Sequence, residues 1–272
     1  MKVIFVHCFL LISTAGICQF LQGNWNIGQN LRLTFLENGI EIDTSSSMLL
    51  GEGSVTFSDV TGNLMFYTDG QSLWNAQHDL MPNGTGLAGG LSSTQACLTV
   101  PEISNNSQFY LFTTTATGTP LGLTYSKIDM DLDGGSGDVI SSLKNIVLDS
   151  SVSEKLIGIS KCDKSGYWVL AHDAGNNQLL AYEIGTSGLN TTPVISYGAI
   201  STLPFGSSNI GYLKASFDGS IIAMAHFGLN KLEIMQFDRQ TGLASNPIVI
   251  PIDTSTGSTT SANFPYGIEI SP

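Results

Sequence analysis

Short apolar segments separated by turn residues recur along most of the chain. In four places an apolar run ends in Asp, Gly, Asn or Pro and is followed by a second apolar run. This pattern is typical of a β-hairpin, because Asp and Gly readily adopt the backbone angles of tight turns and cap them. The predicted hairpins join residues 54–57 to 64–67, 94–100 to 109–115, 155–159 to 167–171, and 212–216 to 221–225.

The hairpins repeat with a constant internal order. A third apolar run follows at 123–129, 179–184 and 232–238, and a fourth follows at 146–148, 194–197 and 248–252. Four short strands per repeat are typical of the blades of a β-propeller, in which stacked blades bury both faces of each sheet. We therefore predict an all-β fold, a β-propeller of four-stranded blades, with a β-sandwich as the alternative. No segment predicts a helix of ten or more residues.

The ends of the chain suggest an incomplete ring of about four blades plus one strand. Residues 266–270 resemble the first strand of a fifth blade. The run Leu31–Phe35 could complete that blade, which is a usual way to close a propeller. On this interpretation the propeller spans residues 19–272, is truncated at its C-terminus and is a fragment of a longer protein.

The first 18 residues have the pattern of a secretory signal peptide. Lys2 supplies a positive charge, residues 3–12 are apolar apart from His7, and small residues follow at 13–16. Cleavage after Cys18 would leave Gln19 as the new N-terminus. We therefore expect a protein that is secreted or displayed at the cell surface, with no transmembrane segment in the mature chain.

Charge and cysteine content narrow the possible partners. The chain has a formal net charge of −12, and only 12% of its residues are charged. Nucleic-acid binding is excluded, because there is no surplus of Lys or Arg to neutralise phosphates. The mature chain would keep Cys97 and Cys162, which lie in different predicted repeats, so two small buried side chains are favoured over a disulfide.

A series of ordered motifs resembles a known family. The motifs are NWNIG at 24–28, GNLMFYTDG at 62–70, LWN at 73–75, MPNGTGL at 81–87, SSTQ at 92–95, LDGGSGDV at 132–139, EKL at 154–156 and IGYLKAS at 210–216. Together they resemble the N-terminal propeller-like region of large exported proteins of gliding bacteria, which often end in a type IX secretion sorting domain. The resemblance implies export and surface display, and it carries no catalytic residues to transfer.

One acidic loop has part of the pattern of a calcium site. Asp129, Asp131 and Asp133 stand at positions 1, 3 and 5 of a calcium-type loop, Gly134 is at position 6, and Asp138 could be a further ligand. Carboxylate oxygens are the ligands that Ca²⁺ prefers. Position 12 is Ile140 instead of the usual Glu, so a plain turn after a strand is the alternative.

A second group of polar residues follows the predicted second strands. Asp69, His172 and His226 each come directly after such a strand, and we expect His172 and His226 to occupy equivalent positions. The predicted ligand-binding face around the channel contains Asp69, Gln95, Glu154, His172, Asp173 and His226. These residues could bind a divalent cation or act as acid and base. Alternatively, each His packs against a neighbouring blade.

Common catalytic motifs are absent, so the sequence favours a protein without catalysis. We expect a binding or scaffolding module whose partner is a protein or glycan at the cell surface, with Trp74 as the most exposed candidate for stacking on a sugar. One alternative is a metal-dependent, lactonase-like propeller hydrolase that uses the Asp69, His172 and His226 face. Another is a purely structural segment of a large adhesin.

Overall fold

The structure is a computed structural model that describes residues 23–28, 30–49, 52–117, 122–252 and 264–271. The predicted signal peptide, residues 1–18, lies outside the described residues. Within the described ranges the chain forms five antiparallel sheets, and its helices are single 3-10 turns of three residues. None of these helices is long and apolar enough to cross a bilayer. The prediction of an all-β fold is confirmed.

Four of the sheets are propeller blades, and a three-stranded sheet precedes them. The three-stranded sheet contains β1 (Asn24–Ile27), β2 (Leu31–Leu36) and β3 (Gly39–Asp43). Blade 1 contains β4 (Val55–Ser58), β5 (Leu64–Thr68), β6 (Ser72–Asn75) and β7 (Leu80–Thr85). Blade 2 contains β8 (Cys97–Pro101), β9 (Gln108–Thr114), β10 (Leu123–Asp129), β11 (Asp138–Val139) and β12 (Ile146–Asp149).

The last two blades follow the same order. Blade 3 contains β13 (Val152–Ser160), β14 (Tyr167–Asp173), β15 (Gln178–Gly185), β16 (Gly188–Leu189) and β17 (Val194–Tyr197). Blade 4 contains β18 (Leu213–Ala215), β19 (Ile221–His226), β20 (Lys231–Asp238) and β21 (Leu243–Pro251). In blades 2 and 3 the outermost position is divided between two short strands, which pair with opposite ends of the third strand.

The core lies between neighbouring blades. Alternate residues of β14 point to opposite faces of blade 3, so Trp168 and Leu170 pack against blade 4 while Val169 and Ala171 pack against blade 2. Both faces of the blade are therefore buried, and each fully buried Leu or Val stabilises the fold by about 1.5–3 kcal/mol. This arrangement explains why the inner strands read as almost continuous apolar runs.

Tight turns join the strands as their sequences predict. Between β18 and β19, the carboxylate of Asp218 accepts hydrogen bonds from the Ser220 backbone N–H and from the Ser216 hydroxyl. Gly219 has a φ of 71°, and a Cβ atom there would approach Ile159 to 2.9 Å. Glycine thus allows both the left-handed backbone and the close approach of blade 3.

The predicted closing strand is wrong. Residues of the run Leu31–Phe35 pair with β1 and β3, not with residues 266–270. Residues 264–271 contain no strand, but the Tyr212 N–H donates to the Tyr266 carbonyl over 2.9 Å. The strands β1 and β3 were not predicted from the sequence. They lie directly before and after β2 in the chain and pair with it. Cys97 and Cys162 are both free, and Cys97 is buried as predicted. Cys162 is exposed, so the prediction of a buried side chain is wrong at that position.

Candidate functional site

The first strands of the four blades surround a central cavity of about 530 Å³. Its polar lining consists of Glu52, Ser54, Thr94, Gln95, Tyr212 and Lys214, and the side chain of Trp25 also contributes to the wall. Trp25 is 46% exposed. A concave site of this size, with a few converging polar groups, is typical of small-molecule binding.

Gln95, one of the predicted ligand residues, holds three inner strands together. Its side-chain oxygen accepts the backbone N–H of Leu156 over 3.2 Å and that of Leu213 over 2.7 Å. Its amide nitrogen donates to the Leu213 carbonyl over 3.1 Å. The Gln95 side chain lines the cavity, but its hydrogen bonds give it a positioning role.

Glu52, which lines the cavity, is hydrogen-bonded to Tyr266. The Tyr266 hydroxyl donates to Glu52 Oε2 over 2.6 Å. Partial burial, together with the Glu52 carboxylate, raises the pKa of Tyr266 to about 12, so the phenol stays protonated as a donor. The Ser92 hydroxyl lies 3.3 Å from Glu52 Oε1 and holds the other side of the carboxylate.

Lys214 brings a positive charge to the same cavity. Its ammonium group lies 3.2 Å from Glu269 Oε2 and 5.7 Å from the centroid of the Tyr212 ring. The Lys214 side chain is only half-buried, so the ion pair is weak and the ammonium can turn toward a ligand. The cavity therefore combines a carboxylate, a cation and an exposed indole.

Glu154, another predicted ligand residue, uses both carboxylate oxygens in hydrogen bonds within the protein. It is 2% exposed, and its Oε2 accepts the Thr94 N–H over 2.9 Å and the Thr94 hydroxyl over 2.7 Å. Its Oε1 accepts the Thr117 N–H over 2.7 Å. Glu154 thus fixes Thr94 in the cavity wall rather than facing a ligand.

The two histidines meet, although they are not at equivalent positions. Leu156 pairs with Ala171, and Leu213 pairs with Met224. His172 is one residue beyond Ala171, whereas His226 is two residues beyond Met224. The two histidines are therefore offset by one residue, and their predicted equivalence is wrong. Because neighbouring residues of a strand point to opposite faces, His172 points toward blade 4 and His226 toward blade 3. Their ring centroids are 5.6 Å apart.

Burial removes both histidines from the channel surface. His172 is 1% exposed and His226 is 0% exposed, whereas a ligand-binding role would require both to be partly exposed around the channel. His172 Nδ1 lies 2.6 Å from the Asp173 carbonyl, and His226 Nε2 lies 3.5 Å from Glu233 Oε2. These contacts favour the alternative interpretation, packing between blades.

The remaining members of the predicted face, Asp69 and Asp173, stabilise turns. Asp69 Oδ1 accepts the backbone N–H groups of Gln71 and Ser72 over 2.9 and 2.8 Å. Asp173 Oδ2 accepts the Asn176 amide over 2.7 Å, and partial burial raises the pKa of the Asp173 carboxyl. In the described part of the chain, no three His, Cys, Asp or Glu side chains group closely enough to hold a metal ion.

The four aspartates of the predicted calcium loop make contacts of their own. Asp129 and Asp138 are paired across β10 and β11. Asp129 accepts the Gln108 amide over 2.7 Å, and Asp138 accepts the Asn83 amide over 3.1 Å. Asp131 and Asp133 lie in the connecting turn. The described geometry therefore agrees with the alternative of a turn rather than with a calcium site.

A buried lysine near the histidines, Lys155, was not predicted from the sequence. Lys155 is 0% exposed, and its Nζ donates to the carbonyls of Ser208, Asn209 and Ile210 over 3.2, 3.0 and 3.2 Å. Burial lowers the pKa of Lys155 to about 7, while Glu154 favours the charged form. The sequence did offer one sign of this burial, because Lys155 is a charged residue within an otherwise mostly apolar first strand, β13. Lys155 holds the turn that leads into Tyr212 and the cavity.

The exposed tryptophan also differs from the prediction. Trp74 is 9% exposed and stacks on Tyr67, with ring centroids 5.3 Å apart. Its packing partner comes from the neighbouring strand β5. Trp25, on β1, is the tryptophan that is open to a ligand.

Because His172 is buried, we expect the folded protein to lose stability as the pH falls. Burial, followed by the charges of Lys155 and His226, lowers the pKa of His172 from 6.5 to about 3. Between these values the unfolded chain binds more protons, so the free energy of unfolding should decrease as the pH falls, by up to about 1.4 kcal/mol per pH unit. Urea unfolding at pH 7.5, 6 and 5 measures this slope. His172→Gln should flatten it, and equal slopes for both proteins would contradict the burial argument.

Comparison with known proteins gives matches among solved structures alone. No protein-family model and no curated protein matches the chain. A candidate 6-phosphogluconolactonase from Bacteroides uniformis matches at 12% identity and a TM-score of 0.44, over 82% of this chain and 64% of that one. A second candidate 6-phosphogluconolactonase, from Bacteroides fragilis, matches at 14% identity and a TM-score of 0.45, over 86% and 67%. The periplasmic gluconolactonase of Pseudomonas aeruginosa matches at 11% identity and a TM-score of 0.43, over 82% and 63%.

These matches do not support the predicted function of a surface binding module. The chain spans about two thirds of the length of the three structures, which are named as lactonases rather than as gliding-motility, secretion or adhesion proteins. The predicted non-catalytic surface module and adhesin segment find no counterpart among these structures, and the lactonase-like alternative is taken up below as a proposal. At this level of identity the likeness concerns the fold, which is a β-propeller like that of the lactonases.

Proposed function

We propose that the chain is a hydrolase that opens lactones, the cyclic esters of hydroxy acids such as sugar acids. The observation that supports this proposal is the central cavity, which Glu52, Lys214 and Trp25 all line. Hydrolysis of an ester needs a base to activate water and a positive group to stabilise the negative charge on the carbonyl oxygen. The cavity supplies both groups from this chain's own residues.

Glu52 is the proposed general base. Its carboxylate takes a proton from water as the water oxygen bonds to the lactone carbonyl carbon. When the bond between that carbon and the ring oxygen breaks, the same proton passes from Glu52 to the ring oxygen, and the product is the open hydroxy acid. The hydrogen bond from Tyr266 keeps the carboxylate aimed into the cavity.

Lys214 is the proposed electrostatic group. Its ammonium would stabilise the negative charge that develops on the carbonyl oxygen and then on the product carboxylate. Breaking its exposed ion pair with Glu269 costs little, because surface ion pairs contribute roughly 0–1 kcal/mol. Trp25 offers an apolar ring face to the C–H groups of the substrate ring.

Lactone hydrolysis by the purified protein tests the proposal. With glucono-δ-lactone or galactono-γ-lactone as the substrate, acid release in a weakly buffered indicator solution should exceed the spontaneous rate and saturate with concentration. Trp25→Ala should raise KM about tenfold, because it removes the stacking surface, while Phe217→Ala should change nothing. Phe217 is an aromatic residue that is 90% exposed and does not line the cavity. Rates equal to the spontaneous reaction across several lactones would reject the proposal.

A further inference from the structure

A second cavity of about 480 Å³ lies between β1 and β4. It shares Trp25, Ser54 and Lys214 with the central cavity, and its wall also includes Asn26 and Thr56. The two cavities therefore meet at these three shared residues. The proposed hydrolase function uses only the central cavity.

Asn26 is the unusual residue of the second cavity. It is 3% exposed, yet among the described residues neither its side-chain oxygen nor its side-chain nitrogen has a hydrogen-bond partner. Asn24 on the same face of β1 is fully engaged, because it donates to Ser58 Oγ over 3.1 Å and accepts from Arg32 over 2.9 Å. Buried amides are almost always paired, so the free donor and acceptor of Asn26 call for a polar ligand.

The surrounding groups select the chemistry of that ligand. An amide offers one acceptor and two donor hydrogens, which suits neighbouring hydroxyl groups of a sugar. The Thr56 hydroxyl accepts the Asn26 backbone N–H over 2.8 Å and so fixes the strand that presents the amide. Trp25, the preceding residue of β1, also lines this cavity, is exposed and can stack on a sugar ring.

We infer that the second cavity binds a second sugar unit, so that the substrates are lactones of acids that carry an additional sugar. The reacting lactone ring occupies the central cavity near Glu52, and the attached sugar occupies the cavity beside Asn26. Trp25 and Lys214 contact both units because they line both cavities. This inference rests on the proposed function and names the substrate class of the same site.

Calorimetric binding of two reaction products tests the inference without relying on catalysis. The probes are gluconate, which has one sugar unit, and cellobionate, in which a glucose is attached to gluconate. The wild-type protein should bind cellobionate at least tenfold more tightly than gluconate. Asn26→Leu should remove this difference while leaving the gluconate Kd within about twofold. A charged control, Glu37→Gln, changes an exposed residue outside both cavities and should leave both Kd values unchanged.

The possible results separate the inference from the proposed function. Equal affinity for the two acids, or a cellobionate preference that survives Asn26→Leu, would overturn the inference and leave the hydrolase proposal standing. Selective cellobionate binding without hydrolysis of any lactone would overturn the hydrolase and leave the second sugar site. If Asn26→Leu does not fold, Asn26→Ser replaces it, since the shorter polar side chain loses the reach of the amide. A melting temperature of Asn26→Leu at or above the wild-type value would agree with an amide that has no partner within the protein.

Discussion

Replacing Glu52 with glutamine should lower kcat/KM for lactone hydrolysis by about 10²- to 10⁴-fold, the usual contribution of a general base. Glutamine has nearly the same shape, and its side-chain oxygen can still accept the Tyr266 hydrogen bond. It cannot take a proton from water at neutral pH. The loss should therefore appear in kcat, while KM changes little, because the substrate contacts of Trp25 and Lys214 remain.

Two variants make this result specific to the carboxylate of Glu52. Glu41→Gln removes an exposed carboxylate on β3, outside the cavity, and should retain full activity. Tyr266→Phe removes the hydroxyl that lies 2.6 Å from Glu52 and should have a smaller effect than Glu52→Gln, because the base is still present. Activity of Glu52→Gln within threefold of the wild type would assign the base to another residue.

The largest loss of stability is expected from Lys155→Met. Methionine fills a similar volume but leaves the carbonyls of residues 208–210 without their donor in a buried region. Removing one partner from a buried polar group of this kind costs about 3–5 kcal/mol. The free energy of unfolding measured in urea should fall by that amount.

Lys231→Met is the matched control for this substitution. Lys231 begins β20 of blade 4, the blade that follows the turn held by Lys155, and its side chain is exposed. Its replacement should change the free energy of unfolding by less than about 0.5 kcal/mol. If Lys155→Met were equally mild, the three hydrogen bonds would not hold blades 3 and 4 together.

Local sequence patterns predicted the blades well because strands and turns depend on neighbouring residues. The alternation of side chains and the Asp and Gly turns locate β13 and β14, and β18 and β19, within a few residues of their actual bounds. The strands β6 and β7 were missed because the segments around Trp74 and Asn83 are short and rich in polar turn residues. The strands β1 and β3 were also missed, because they contain only four and five residues.

The candidate site was predicted only in part because residue contacts depend on register. Gln95 lines the cavity just before β8, and its predicted role in ligand binding stays a prediction. The histidines were misplaced because a shift of one residue along a strand moves a side chain to the opposite face of the sheet. Nothing in the sequence around His172 and His226 distinguishes an exposed position from a buried one between blades.

By itself, the sequence determined that the described chain is built from antiparallel strands arranged in repeated blades. Hydrophobic alternation and turn chemistry act over a few residues, so they are visible in the linear order of residues. Only the tertiary structure decided where a ligand could bind. Glu52, Lys214 and Tyr266 are distant in the chain and come together through the stacking of blades and the 2.9 Å hydrogen bond between Tyr212 and Tyr266. That stacking depends on which sheet faces meet, a property of packing that no local pattern contains.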